Sequence, residues 1–356
     1  MSNEEIDLTL TIITRNEEEM IGDCIKSVIA SAELAVKKGI IKNYEIIHVD
    51  SASTDNTIKI AKKFPIKIVQ LAPSWPLSAS AGLFIGYKFA RGEYFMPVGG
   101  DMIMKKNWLS KALPFIMKDD SMGAVSGFEE EYLGEEGYFK DLITESVALT
   151  RTPDFIEQAG TAIYRMEVLR KIGGYNPYLK GGEDTDLSFR LLSEGYRIKR
   201  LPDTSTVHYW FKKGGKINLI QTLRSTWMWS FGDGQSARYA FYNRKYLRKQ
   251  KNRYFRTRQI WTYLTFMILV AFAGLNLIIF ELEFWFLSFV VVFDIICILI
   301  LINLLRQHNW EKRFIKDNLQ NIPYYLVRNV GFIRGYLKKP LPIESYPTDV
   351  KIIKTG

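Results

Sequence analysis

Leu8-Thr9-Leu10-Thr11-Ile12-Ile13-Thr14 reads as a buried β-strand, and the alternation of elements that begins with it decides the fold class. Met20-Ile21, Cys24-Ile25 and Val28-Ile29 recur at helical spacing, after which Tyr44 to Asp50 reads as a second strand. Helix and strand keep alternating from there: a helix over Asp55 to Phe64, a strand over Ile66 to Gln70, a helix over Ser78 to Phe89 and a strand over Tyr94 to Val98. Such alternation predicts an α/β fold with a mostly parallel sheet, whose ligands gather at the carboxyl ends of the strands. Thr14-Arg15-Asn16-Glu17, Asp50 and Asp101 all fall at such ends. Met122 to Phe128 continues as a strand, the pattern loosens through Glu129-Glu130-Glu131, and Tyr138 to Thr150 reads as a helix. This middle section is expected to be a substrate-facing insertion.

The densest chemistry lies further on, in Gly181-Gly182-Glu183-Asp184-Thr185-Asp186-Leu187, followed by Arg190 and then by Val207-His208. Paired carboxylates behind two glycines, with helix formers after them and a histidine downstream, look like a catalytic base beside a metal-assisted leaving group. Taken with residues 163–169 and Ile172-Gly173-Gly174-Tyr175, this segment resembles the acceptor half of glycosyltransferase family 2. Thr14-Arg15-Asn16-Glu17 and Val49-Asp50-Ser51 with Ser53 and Asp55 resemble its nucleotide-binding half. The resemblance covers about residues 1–215 and implies an inverting enzyme with a GT-A (Rossmann-like) catalytic domain.

It also implies roles for individual residues. Thr14, Arg15, Asn16, Glu17, Asp50 and Ser53 would hold the nucleotide-sugar donor, with Asp50 accepting a hydrogen bond from the base; Asp55 fits a helix cap as well as a ligand contact. Gly99-Gly100-Asp101 stands where the family usually carries Asp-x-Asp, so Gly100 and Asp101 would face the donor and Asp101 would hold Mg²⁺ or Mn²⁺. The first aspartate of that motif is replaced by Gly99, and Leu83 stands where many relatives have an arginine, with Arg91 better placed in the turn before the next strand. His208 either completes the metal site or is structural. Asp184 would be the general base, with Glu183 binding acceptor; Thr185 or Asp186 serve equally as caps of a helix over Leu187 to Glu194. Gln221-Thr222-Leu223-Arg224 keeps Gln-x-x-Arg of a motif of processive relatives, and Ser225 breaks it; Arg224 is either a diphosphate contact or an interfacial charge.

A polyprenyl (dolichyl) phosphate is largely ionised at neutral pH, its second pKa being about 6, and needs no base to attack, whereas a sugar hydroxyl does. The Glu183-Asp184 pair therefore favours a lipid-linked or surface glycan as acceptor over polyprenyl-phosphate glycosylation. A non-catalytic, membrane-anchored sugar-nucleotide or glycan-binding protein is the alternative of another class.

With 356 residues, 47% hydrophobic and 14% aromatic, the chain buries a sizeable core. The net charge of +10 is concentrated: Arg238 to Arg258 contains nine Lys or Arg and no Asp or Glu. That block adjoins two apolar runs, Ile260 to Phe280 and Phe284 to Leu305, each roughly 30 Å long as a helix and so matched to a bilayer core. Only Glu281-Leu282-Glu283 separates them, and basic residues flank the pair, so a transmembrane hairpin with a cytoplasmic catalytic domain and tail is expected. Mid-span Asp294 reads as a neutral, hydrogen-bonded carboxyl. Beside the spans the basic block suits anionic lipid rather than nucleic acid. The expected order is catalytic domain 1–215, interfacial basic segment 216–258, transmembrane pair 259–306, and cytoplasmic tail 307–356. In the tail, Ile322, Leu326, Val330, Ile333 and Leu337 form one helical stripe that lies on a membrane or docks on the catalytic domain. Cys24 and Cys297 lack metal-site spacing, and no signal peptide is expected.

Overall fold

Strand β1 (Leu8–Thr14) is buried at every position but Ile13, Thr9 and Thr11 included, and so takes a central place in the sheet. A computed structural model describes residues 5–135, 138–141, 154–155, 159–209, 219–241 and 322–356. After β1 come α1 (Ile21–Lys37), β2 (Tyr44–Asp50), α2 (Thr57–Ala61), β3 (Lys67–Gln70), α3 (Ala79–Phe89), β4 (Tyr94–Gly99), β5 (Met102–Met104) and α4 (Trp108–Met117). Then come β6 (Met122–Glu135), β7 (Tyr138–Asp141), β8 (Asp154–Phe155), β9 (Ala162–Arg165), α5 (Met166–Lys171), α6 (Glu183–Ser193) and β10 (Arg197–Tyr209). Helices α7 (Leu219–Phe241) and α8 (Ile322–Leu337) and strand β11 (Lys351–Lys354) complete the described elements, with a 3-10 turn at Ile343–Ser345.

The strand order is β11-β3-β2-β1-β4-β9-β6-β10-β5, with β7 on β6 and β8 on β10. Pairings within β3-β2-β1-β4 and between β6 and β10 are parallel, whereas β9, β5, β7, β8 and β11 all pair antiparallel. The sheet is therefore mixed rather than mostly parallel. The alternation that predicts parallel strands runs only through β4; short β9 then lies between β4 and β6 and pairs antiparallel with both. Leu10, Ile12, Ile25, Val28 and Trp108 fill the side under α1 and α4, and Val49, Phe84, Tyr164, Leu169 and Leu187 fill the other.

Two further expectations change. Tyr138–Asp141 is a strand on β6, not the start of a helix, because β6 runs on past Phe128 to Glu135 and offers a partner edge; residues 142–150 lie outside the described residues. The last residues are not a detached tail. The chain forms two compact units, Met1–Asn218 with Lys339–Gly356, and Leu219–Lys338, because β11 pairs with β3 at the sheet edge.

In the second unit, α7 and α8 pack backbone to backbone. A Cβ at Gly234 would lie 2.0 Å from the Phe332 carbonyl oxygen, and one at Gly335 1.9 Å from that of Phe231, so only glycine permits this crossing. The glycine face of α8 makes the contact and leaves Val330, Ile333 and Leu337 of the apolar stripe exposed. Among the described residues no helix is long and apolar enough to cross a membrane; the runs 260–280 and 284–305 lie outside them.

Helix α6 is fixed by an internal ion pair. Arg190 donates from Nε and Nη2 to Asp186 Oδ2 at 2.9 and 2.6 Å, and its Nη1 donates to the carbonyls of Ile172 and Gly174 at 2.7 and 2.6 Å, with both side chains buried. Arg190 thus ties α6 to the Gly173-Gly174 turn. Arg190→Met is expected to cost about 3–5 kcal/mol in chemical denaturation, the usual result of leaving a buried carboxylate without its guanidinium; a loss below 1 kcal/mol would contradict this role.

Candidate active site

The turns after β1 and β2 are stitched together by side chains. Asn16, in the left-handed region at φ 60°, donates its backbone N–H to Ser53 Oγ at 2.9 Å and accepts from the Thr54 N–H at 2.8 Å on Oδ1. The Glu17 N–H donates to Thr57 Oγ1, the Glu18 N–H to Asp55 Oδ2, and Glu18 Oε2 accepts from Asn56. Asp55 accepts from both the Thr57 N–H and hydroxyl, and these bonds hold its carboxyl below the usual range against the opposing effect of burial. Thr57 is the first residue of α2 and Asn56 its N-cap residue, so Asp55 ties down the turn that enters the helix from one position further out. Arg15 is exposed beside this pair of turns.

Asp50 is fully buried and receives four donors: Thr14 Oγ1 and Ser53 Oγ on Oδ1, and the Ser53 N–H and Gln70 Nε2 on Oδ2. Four bonds occupy the capacity of a carboxylate. In this state it holds the turns in place, and reaching a base requires one donor to be released. His48, unremarked in the sequence motifs, stands behind it with Nε2 2.7 Å from Thr14 Oγ1. Burial, partly opposed by Asp50, lowers the His48 pKa to about 4, so the ring is neutral. Since Thr14 donates to Asp50, His48 donates from Nε2, and its buried Nδ1 has no partner among the described residues.

At the end of β4 the chain turns through Gly99-Gly100 into β5, which pairs antiparallel with the end of β10. This register puts Asp101, just before β5, beside His208: Asp101 Oδ2 lies 3.0 Å from His208 Nε2. Gly100 approaches β1 closely. Its N–H donates to the Ile13 carbonyl at 2.9 Å, and a Cβ there would lie 2.4 Å from Thr14 Cγ2. A side chain at Gly99, where the Asp-x-Asp motif has its first aspartate, would begin 2.7 Å from Asp101 Oδ1 and push that carboxylate aside.

The other ring nitrogen of His208 meets Glu129, with Nδ1 3.3 Å from Oε1, and Glu129 Oε2 accepts from the Thr161 hydroxyl at 3.1 Å. Burial by itself would lower the His208 pKa; hydrogen bonds and charge from Asp101 and Glu129 outweigh it and raise the pKa to about 10. Glu129 is the member of this cluster that the sequence motifs do not mark. Its signal was a run of acids at the end of an apolar strand, which read as a loosening pattern.

Asp184 occupies the first turn of α6. Gly182, at φ 70°, is the N-cap residue, so neither Thr185 nor Asp186 plays that part. Asp184 is half-buried, and no hydrogen bond from a described residue reaches its carboxylate. Desolvation first, then the neighbouring Glu183 and Glu129, raise its pKa to about 8. The fully buried Tyr164 and Tyr175 share this field, their hydroxyl pKa values raised by burial, with the charges of Asp184 and Glu183 adding to it.

Asp101, His208, Glu129, Glu183 and Asp184 therefore form one electrostatic neighbourhood. Arg224 belongs to the second unit, where it is exposed on α7, and Arg91 pairs with Glu45 in the turn before β4. No group of three or more His, Cys, Asp or Glu among the described residues is arranged to hold a metal ion. The pair Asp101 Oδ2 and His208 Nε2, hydrogen-bonded at 3.0 Å, brings together two side-chain types that can ligate a divalent ion. Glu129 meets the opposite ring nitrogen and orients the imidazole.

Residues 9–173 match the family model described as glycosyl transferase family 2, a region that ends before Glu183. "Putative glycosyltransferase EpsE" of Bacillus subtilis (strain 168) is 26% identical over 193 residues, 51% of this chain and 65% of that protein. An "uncharacterized glycosyltransferase" of Haemophilus influenzae is 25% identical over 132 residues, 36% of this chain and 38% of that protein. The chain thus spans less than two thirds of either relative. Among solved structures, S. aureus TarS 1-349 covers 71% of this chain and 73% of its own at 17% identity and a TM-score of 0.47.

The raised Asp184 pKa has a thermodynamic consequence. A folded pKa of about 8 above an unfolded value of 3.8 means that the native state keeps a proton the unfolded chain loses, so this group's contribution declines as pH climbs from about 4 through 8. Asn carries no such penalty. Thermal unfolding of Asp184→Asn against the parent protein is expected to show a melting-temperature gain that widens between pH 5 and pH 8.5; an unchanged difference would place the Asp184 pKa in the ordinary carboxylate range.

Proposed function

We propose, from the match of residues 9–173 to the glycosyl transferase family 2 model, that the chain is an inverting glycosyltransferase moving a sugar from a nucleotide-sugar donor to a hydroxyl of a lipid-linked or surface glycan. The observation that carries the proposal is the half-buried Asp184, with raised proton affinity and an unengaged carboxylate, sharing the field of Glu129 with the Asp101–His208 pair. The acceptor oxygen attacks the anomeric carbon, the bond from that carbon to the diphosphate oxygen breaks, and the hydroxyl proton passes to Asp184. Thr14 to Glu17, Asp50, Ser53, Gly100 and Asp101 form the donor side. There Asp50 acts chiefly by holding the two turns.

Asp101 Oδ2 and His208 Nε2 would hold Mg²⁺ or Mn²⁺, with Glu129 fixing the ring from Nδ1. When bound, the ion supplies positive charge to the departing diphosphate. Ligation would require a neutral ring, with His208 giving up its Nε2 proton and keeping the one on Nδ1 toward Glu129.

The choice of acceptor rests on charge. Glu129, Glu183 and Asp184 make the base side acidic, which suits a neutral hydroxyl and disfavours a phosphate anion of the polyprenyl type. A non-catalytic sugar-nucleotide binder has no use for a base of raised pKa. Divalent-dependent transfer or donor hydrolysis across a panel of sugar nucleotides separates these readings.

We place the protein at the cytoplasmic face of a membrane. Supporting this are the apolar runs 260–280 and 284–305, the basic block before them, and the exposed Met228, Trp229, Val330, Ile333 and Leu337 on α7 and α8. Residues 339–356 rejoin the first unit, which requires an even number of crossings between 218 and 339. The partners are thus the donor, a glycan or lipid-linked acceptor and membrane lipid.

Asp184→Asn should lower transfer by about 10² to 10⁴, the usual range for a general base, with little change in donor binding; near-normal turnover of the folded variant would favour the polyprenyl-phosphate alternative. Asp101→Ala should abolish divalent-dependent activity while the protein stays folded, and undiminished transfer would remove Asp101 from the site. A reporter fused after Gly356 should report a cytoplasmic location, and an extracytoplasmic signal would overturn the topology.

A further inference from the structure

We propose that residues 343–354 are a strap that sets the spacing between the donor-side loop 71–78 and the loop 175–182 leading into Asp184, with Tyr346 as its positioning residue. Tyr346 is 3% exposed. Its ring stands edge-on to Trp75 of the first loop at 5.8 Å, to Phe84 of α3 at 5.8 Å and to Tyr178 of the second loop at 5.5 Å. Such edge-to-face pairs hold aromatic rings in defined relative orientation. Its hydroxyl donates to the Pro76 carbonyl at 3.0 Å. Ser345 Oγ gives its proton to the Pro342 carbonyl at 2.6 Å, so the Tyr178 hydroxyl is the donor in the 2.8 Å bond to Ser345.

Both loops lead to the site. Loop 71–78 leaves β3 after Gln70, which donates to Asp50, and β11 pairs along β3 with Lys351 opposite Gln70. Loop 175–182 ends at Gly182, immediately before Glu183 and Asp184. Direct ties between the loops are made by polar groups at their edges: Lys180 Nζ donates to the Leu77 carbonyl at 2.9 Å and Ser78 Oγ to that of Pro177 at 3.3 Å, and Ser80 Oγ, in the first turn of α3, adds a bond to that of Asn176 at 2.6 Å. Tyr346 supplies the apolar body between them. Removing it leaves these bonds around a void and allows the base to move relative to the donor.

The proposal rests on the donor and base sides assigned above, and its test has a readout that needs no substrate. Hydrogen exchange and steady-state kinetics are measured on the full chain with Tyr346→Ala and Tyr346→Phe, at a temperature where each is folded. Tyr346→Ala is expected to speed amide exchange in both 71–78 and 175–182, with β1 and β2 unchanged, and to lower kcat of the folded protein by about 10²-fold, the cost of misplacing reacting groups by roughly an ångström. Tyr346→Phe keeps the ring and should recover most of that loss. A strap that only stabilises would lower the melting temperature while leaving kcat of the folded fraction intact, and that result, or faster exchange in one loop alone, would overturn the proposal. If Tyr346→Ala does not fold, Tyr178→Phe with Ser345→Ala removes the strap's polar tie without opening the core. Faster exchange in 175–182 is then expected and unchanged exchange would overturn the proposal. A parent protein inactive with every donor would instead count against the proposed function, since the exchange pattern is independent of it.

Discussion

Negative charge held away from water is the constraint around which the candidate site of this protein is arranged. Asp101, Glu129, Glu183 and Asp184 share one partly desolvated region, and each charge there raises the cost of the next. Three features offset that cost. The start of α6 presents its partial positive charge to Glu183 and Asp184, the His208 ring takes a proton between Asp101 and Glu129, and Asp184 keeps its own proton up to about pH 8. A site arranged in this way suits a cation beside Asp101 and a neutral hydroxyl beside Asp184, the two demands of the sugar transfer proposed above.

Backbone placement meets that constraint through short antiparallel strands added to a parallel frame. The frame, β3-β2-β1-β4, delivers the two stitched turns of the donor side. Antiparallel β5 brings Asp101 to His208 at the end of β10, and parallel β6 lies along the other side of β10 with Glu129. The last strand, β11, closes the far edge against β3 after the chain has passed through the α7–α8 unit. Both ends of that unit are therefore anchored in one domain. Whatever the unit binds, the strap adjoining loop 71–78 is continuous with it in the chain.

Much of this was legible in sequence because burial leaves periodic traces. The helical stripe of Ile21, Cys24, Ile25 and Val28 and the unbroken apolar run of β1 identified their elements and the strand ends that bear Thr14, Asp50 and Asp101. The helix expected over Leu187 to Glu194 begins four residues earlier, at Glu183, because Gly182 turns the chain into it with a positive φ rather than a side-chain cap. Long-range pairing left no such trace. Nothing local in Lys351–Lys354 distinguishes an edge strand from a polar tail, and Tyr138–Asp141 becomes a strand only because β6 extends beside it. Glu129 was obscured because Glu130 and Glu131 come directly after it, and only the fold separates its contact with His208 from the Glu130 pairing with Lys105. Asp50 was visible as a ligand candidate; its four internal donors were not, since they come from three positions spread over 14 to 70.

The central claim is that Asp184 takes the proton of a hydroxyl acceptor, and the pH dependence of kcat/KM, which reports the free enzyme's ionisations, tests it most directly. With divalent ion held constant, activity should rise with pH along a limb well above the ordinary carboxylate range, directed towards the Asp184 pKa of about 8, and that limb should vanish in the residual activity of Asp184→Asn. A profile already flat from pH 5.5 upward in the parent protein, or the same limb retained in the Asn variant, would contradict the assignment of Asp184 as the base.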